Sequence, residues 1–92
     1  MTTDAEWIQI DPERVLASLE QNAAEAVKRT QGEVTLDFSG VRRLDTNGIG
    51  ALEHLAAMAE ERGSRLVVHG VNGDIYKVLK LLKLAGRFSF TN

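Results

Sequence analysis

The sequence predicts an α/β domain, a small sandwich with a mostly parallel four-stranded sheet and about three amphipathic helices in the order β-α-β-α-β-α-β. Three observations carry that prediction. Glu33-Val34-Thr35-Leu36-Asp37-Phe38 alternates with period two, which puts Val34, Leu36 and Phe38 on one face. Leu66-Val67-Val68-His69 is a short apolar run suited to a central strand covered on both faces. Between and after these runs, apolar residues recur at helical spacing. Strands alternating with such helices imply parallel pairing through right-handed crossovers.

Taken in order, Thr2 to Glu6 is a polar lead-in and Trp7-Ile8-Gln9-Ile10 is an edge strand. Asp11-Pro12 supplies an N-cap and a first-turn proline for a helix, with Val15, Leu16, Leu19, Ala23, Ala26 and Val27 inward and Gly32 as its stop. After the Glu33 strand, Ser39 to Leu44 is a turn, and Asp45-Thr46-Asn47 caps a second helix whose inner face is Ile49, Leu52, Leu55, Ala56 and Ala59. Gly63 is the left-handed stop of that helix. Gly70-Val71-Asn72-Gly73 breaks the third strand. A third helix follows from Asp74, with Ile75, Val78, Leu79 and Leu82 inward and Lys77, Lys80 and Lys83 in water, and Gly86 ends it. Phe88-Ser89-Phe90 alternates as a last strand.

With 92 residues, 43% of them hydrophobic, the chain has material for one core, read as one domain over 1–92. Eleven basic against 13 acidic residues leave a net charge of -2, so no global field draws nucleic acid or an anionic membrane. The absence of cysteine removes disulfide scaffolds and thiolate chemistry. Without a basic leader or a long apolar run, the chain reads as a soluble, cytoplasmic protein with no membrane insertion.

Catalytic sets are not visible. His54 falls on the solvated side of the second helix and His69 ends a strand, without the spacing of a zinc site. Asp45, Asn47 and Gly50 begin a calcium-loop pattern that fails at Ile49 and Ala56. Gly48-Ile49-Gly50 begins a dinucleotide fingerprint that fails at Glu53. Lys77, Lys80, Lys83 and Arg87 form a basic stripe without the aromatic residues that nucleic-acid stacking needs, and it reads better as a patch for an acidic partner. The expectation is therefore a non-enzymatic protein with no metal and no cofactor. Trp7, Phe88 and Phe90 are read as packing residues, Tyr76 as a secondary interface candidate, and the Trp7 edge as a place where a homodimer could form.

The informative segment is the loop from Ser39 to Gly48. Asp45-Thr46-Asn47 satisfies the free N–H groups of a helix start, and it also exposes the Thr46 hydroxyl there. A phosphate on Thr46 would add about -1.5 to -2 charges beside the positive helix end and beside Asp45. Arg42, Arg43, Asp45, Thr46, Asn47 and Gly48 are accordingly the candidate partner-binding residues, with Thr46 the candidate phosphoacceptor.

Leu36-Asp37-Phe38-Ser39-Gly40-Val41, Leu44-Asp45-Thr46-Asn47-Gly48-Ile49-Gly50, Gly63-Ser64-Arg65-Leu66-Val67-Val68 and Val78 to Phe88 together resemble the core of STAS domains, the fold of bacterial anti-sigma-factor antagonists. The resemblance implies that an anti-sigma factor or kinase is the partner and that Thr46, standing where that family has serine or threonine, is the switch residue. Asn47 departs from the commoner small residue. Asp45-Thr46 with Gly48, together with His69-Gly70-Val71-Asn72-Gly73-Asp74-Ile75-Tyr76, is also similar to the STAS subunit of bacterial phospholipid-transport ABC complexes. That branch implies the ATPase subunit as partner, with Thr46 in the contact surface. A stressosome or chemotaxis-linked scaffold is a third variant.

Overall fold

The computed structural model describes residues 5–91. Among them β1 (Ala5–Gln9), β2 (Glu33–Asp37), β3 (Arg65–His69) and β4 (Ser89–Thr91) form one sheet in the order β1-β2-β3-β4, every pair parallel. Helix α1 is continuous through Val15–Ala17, Ser18–Ala23 and Ala24–Arg29, α2 is Thr46–Arg62, and α3 is Gly73–Leu81. The predicted element order stands. Of the polar lead-in, Ala5 and Glu6 belong to β1, and Thr2 to Asp4 lie outside the described residues.

The register stacks Ile8, Leu36, Val68 and Phe90 in one row, and Trp7, Thr35, Val67 and Ser89 in the row of opposite orientation. Ile10, Val34, Leu36, Phe38, Leu66 and Val68 join the buried core with Leu19, Val27, Leu52, Leu55 and Leu79 from the helices. Val67 is also buried but stands outside that core. Parallel strands laid down in sequence, each joined by a right-handed crossover, receive all their helices on one face. The expectation that β3 is covered on both faces holds for its burial, since Leu66, Val67 and Val68 are all buried, but the cover over Val67 is not helical. On the other face the rings of Trp7 and His69 meet, with centroids 4.9 Å apart and 55° between their planes. They come from strands on either side of β2, so they close over it and shelter Thr35 and Val67.

Three helix boundaries differ from the sequence reading. Asp11 does not cap α1. Its Oδ1 accepts the N–H of Glu13 at 2.9 Å in a local turn, and the helix begins three residues later behind Arg14. The middle of α1 has the wider π winding, and the buried Ser18 hydroxyl there accepts the N–H of Asp11 at 3.1 Å. Gly32 does not end α1, which stops at Thr30, a buried residue in extended conformation whose hydroxyl donates to Glu6 at 2.6 Å. Gly86 does not end α3. Lys83 takes the left-handed conformation (φ 61), with Lys83 N–H to Lys80 O at 3.1 Å and Leu84 N–H to Leu79 O at 2.8 Å. The buried Leu84 seals the helix end from below, which is why glycine was not needed to close it. Gly63 (φ 72) is the stop expected for α2.

Gly70 (φ +71) locks β3 to the loop after β2, because a Cβ there would lie 2.9 Å from Ser39 Cβ and 3.1 Å from Ser39 Cα. Both the left-handed backbone and this backbone contact oppose any side chain. Gly70→Ala is expected to destabilise the fold by about 2–3 kcal/mol, against about 1 kcal/mol for Gly63→Ala, where nothing lies near the added carbon. Urea denaturation of the two variants checks the difference.

Candidate functional site

Parallel strands all point their carboxyl ends one way, so the loops after β1, β2 and β3 gather at one end of the sheet. The loop from Phe38 to Asp45 is held there by five hydrogen bonds. Asp37 Oδ1 accepts the Ser39 N–H at 2.9 Å. The Phe38 N–H reaches His69 O at 2.8 Å, and Val41, buried, turns back with its N–H on Phe38 O at 2.9 Å. Asn72 Nδ2 donates to Arg42 O at 3.0 Å, while Asn72 Oδ1 accepts the Ile75 N–H at 2.8 Å and so caps α3. Asp45 closes the loop by capping α2, its Oδ1 accepting the Gly48 N–H at 2.8 Å.

Arg42, Arg43, Asp45, Thr46 and Asn47 are thus brought together on an exposed ridge, with Thr46 the first residue of α2. Gly48 is not on that surface. It is buried, and a Cβ there would lie 2.7 Å from Leu44 Cδ1, so the glycine admits Leu44 against the helix start. The cap belongs to Asp45 and leaves the Thr46 hydroxyl outside it. Asn72 is the residue the sequence reading missed. Its place in a glycine-flanked break marked it as a turn residue, and the second bond, to a loop thirty residues away in the chain, had no local signal.

Three hollows border the ridge: one of about 710 Å³ lies between Arg43 and Asp45 and the start of α1, and two more flank the start of α2. One, about 500 Å³, lies between α1 and α2, with Leu16, Ala51 and Met58 along it and Thr46, Asn47 and His54 at its edge. The structure therefore places His54 in the same groove as Thr46, although it is solvent-exposed as expected. The other, about 530 Å³, lies between the loop and α3 and is lined by Arg42, Arg43, Leu44, Asn72, Ile75 and Val78. Arg87, which the sequence reading placed in the basic stripe, is turned to Glu60, with Nε to Oε2 at 2.9 Å. The described residues hold no group of three or more His, Cys, Asp and Glu arranged to take a metal, and no helix among them is long and apolar enough to cross a membrane.

A capped helix start raised on a pinned loop, with open hollows on either side, defines a small parallel α/β module built to present a surface. The chain belongs to the STAS-domain family, since the family model described as "MlaB, STAS domain" matches residues 10–89. It is 39% identical over 70 residues to the intermembrane phospholipid transport system binding protein MlaB of Escherichia coli strain K12, covering 76% of this chain and 69% of that protein. The MlaB of Shigella flexneri matches to the same extent. The fold is shared with the crystal structure of a protein described as an anti-sigma factor antagonist from Thermotoga maritima, with a TM-score of 0.69, 13% identity, and coverage of 100% of this chain and 82% of that one.

Asn72 and Asp37 are separable by experiment. Asn72→Asp keeps the acceptor for Ile75 N–H but loses the donor to Arg42 O, so it is expected to cost about 1 kcal/mol, against about 2 kcal/mol for Asn72→Ala, which loses both. Hydrogen exchange at residues 42–45 should quicken in both variants. The Ser39 hydroxyl, then the Ser39 N–H, with smaller help from the Trp7 indole and the charge of His69, hold the Asp37 carboxyl below its ordinary value. A lowered folded value means that this stabilisation is whole above pH 3.8 and is lost as pH falls below it. Acid titration of stability should show a shallower decline in Asp37→Asn than in the wild type, the remainder coming from Glu6 and Glu60, which Arg29 and Arg87 also hold below their ordinary values.

Proposed function

We propose that this chain is a non-enzymatic docking subunit that binds the ATPase of a phospholipid-transport ABC complex on the cytoplasmic side, through the ridge of Arg42, Arg43, Asp45, Thr46 and Asn47. The observation that carries the reading is the 39% identity to a protein named as the binding protein of an intermembrane phospholipid transport system. The ridge supports it. Arg42 and Arg43 offer donors, the Thr46 hydroxyl is free of the cap, and Asn47 adds an amide beside it. From the sequence alone the first implication of the resemblance is an anti-sigma-factor antagonist switched by phosphorylation of Thr46, with the transporter subunit second. The order is reversed here because the likeness to an antagonist, at 13% identity, is one of fold alone.

In both readings the same ridge meets an ATP-binding protein, and they differ in what Thr46 does. In a transporter subunit the threonine is buried unmodified in the contact. In a switch it must also enter a kinase site, where Asn47 adds bulk next to the acceptor.

Titration calorimetry with the purified ATPase subunit of the cell's phospholipid transporter tests the proposal. Thr46→Glu is expected to weaken binding by about tenfold or more, since it buries a carboxylate in the contact, with no change in melting temperature because the residue is exposed. Absence of a complex with the wild-type chain would overturn the reading. Binding to an anti-sigma kinase with ATP-dependent phosphate on Thr46, seen by mass spectrometry, would replace it with the switch.

A further inference from the structure

The apolar stripe of α3 is wider than the core beneath it. Ile75 and Leu79 are buried, whereas Val78 is 38% exposed, Leu82 52% and Leu81 82%. Helical spacing alone puts Val78 and Leu82 in the core stripe. The helix end explains the difference: the left-handed Lys83 turns the chain so that Leu84 takes the sealing position, and Leu81 and Leu82 are left outside. Of the large apolar residues exposed among the described residues, half lie on this one flank.

The flank is also where positive charge collects. Lys77, Lys80 and Lys83 are exposed on and after α3, and Arg42 and Arg43 face the helix across the hollow of about 530 Å³, with Asp74 the carboxylate on its wall. Among the described residues none of these five cations is in an ion pair, while Arg87 is held by Glu60. A chain with a net charge of -2 thus carries a concentrated basic and apolar surface.

We infer that this surface is a second docking site, for an acidic amphipathic helix of a protein partner. One apolar side chain of that helix fills the hollow against Leu44, Ile75 and Val78. The next apolar turn covers Leu81 and Leu82, and carboxylates on its flanks meet Arg42, Arg43 and Lys77. A second copy of the same surface does not fit, because a two-fold contact would set five cations against five. A lipid surface fits less well, since a flat bilayer cannot enter a hollow rimmed by the Arg42–Leu44 loop. The inference deepens the docking reading above and rests on it for a partner, but not for the chemistry of the contact.

The test uses the full chain and a synthetic helical peptide with leucine on one face and glutamate on the other, beside a scrambled peptide of the same composition. In amide correlation spectra the helical peptide should shift residues around Leu44, Ile75, Val78 and Leu81. Its affinity should fall by about tenfold in Leu81→Ser/Leu82→Ser and in Lys77→Glu/Lys80→Glu, and fall with salt. These positions are exposed, so unchanged melting temperatures would show the folds intact. Equal binding of the scrambled peptide, or shifts confined to the groove of Thr46 and His54, would overturn the inference. So would Leu81-dependent binding to phosphatidylglycerol vesicles without peptide binding, or a Leu81-dependent dimer in sedimentation. Thr46→Ala, which brings no charge near Arg42 and Arg43, should keep the peptide. If the ATPase subunit fails to bind while the peptide does, the transporter reading fails alone. If the ATPase subunit binds and the peptide does not, this inference fails alone.

Discussion

Two parallel strands cannot be joined by a tight turn, and the crossover between them is right-handed because a twisted strand feeding a helix packs back onto the sheet only that way. In this chain the strands follow one another across the sheet without reversal, so each crossover returns over the same face. The helices become a single layer and the other face has none. That one constraint accounts for the split of β2 and β3 into a row facing the helices and a row on the helix-free face, and for Trp7 lying 56% exposed across the latter. It also collects the loops after β1, β2 and β3 at one end. Function in such a fold depends on how stiffly those loops are held.

Here the loop after β2 is held by groups from the ends of β2 and β3 and the starts of α2 and α3. Asp37 fixes its start, Gly70 lets the end of β3 approach Ser39, Asn72 reaches across from α3 to Arg42, and Asp45 fixes its finish at α2. No single bond of this kind is strong; a net contribution of about 1 kcal/mol each is usual. Their effect is on shape. A contact surface already in its bound form loses little side-chain and backbone freedom on association, and that saving appears as affinity.

Much of this was legible in the sequence, and the reasons for the failures are physical. The alternation of Val34, Leu36 and Phe38 and the helical spacing after Thr46 report burial directly, and both elements lie where those patterns put them. The motif Asp45-Thr46-Asn47 showed the start of α2 because an N-cap is a local device. Asp11 misled because an aspartate before proline suits a turn as well as a cap, and only packing decides. Gly86 misled because Leu84 could seal α3 from the core, a long-range fact. One-sided cover of the sheet was not legible from β3, since a strand run of Leu66-Val67-Val68 looks the same whether a helix or the Trp7 ring shelters its middle residue. Asn72 was missed for the same reason: its second bond is to a loop distant in sequence.

Asp45 alone supplies the cap of α2, so the fold does not need the hydroxyl of Thr46. A residue relieved of structural duty, at the positive end of a seventeen-residue helix and beside two arginines that form no ion pair among the described residues, is free to be chosen for what it meets. The electrostatics there are balanced between two outcomes. The helix end and the arginines favour an incoming anion, while Asp45 opposes one attached covalently to its neighbour. An uncharged hydroxyl sits in that field at no cost and can be covered by a partner with one hydrogen bond. A phosphate would bring about two negative charges to a chain whose net charge is -2, and it would place them against the same arginines that a docked partner's acceptors would use. The ridge therefore suits unmodified docking first. Any modification of Thr46 would act by competing for Arg42 and Arg43, leaving the core beneath Leu44 unchanged.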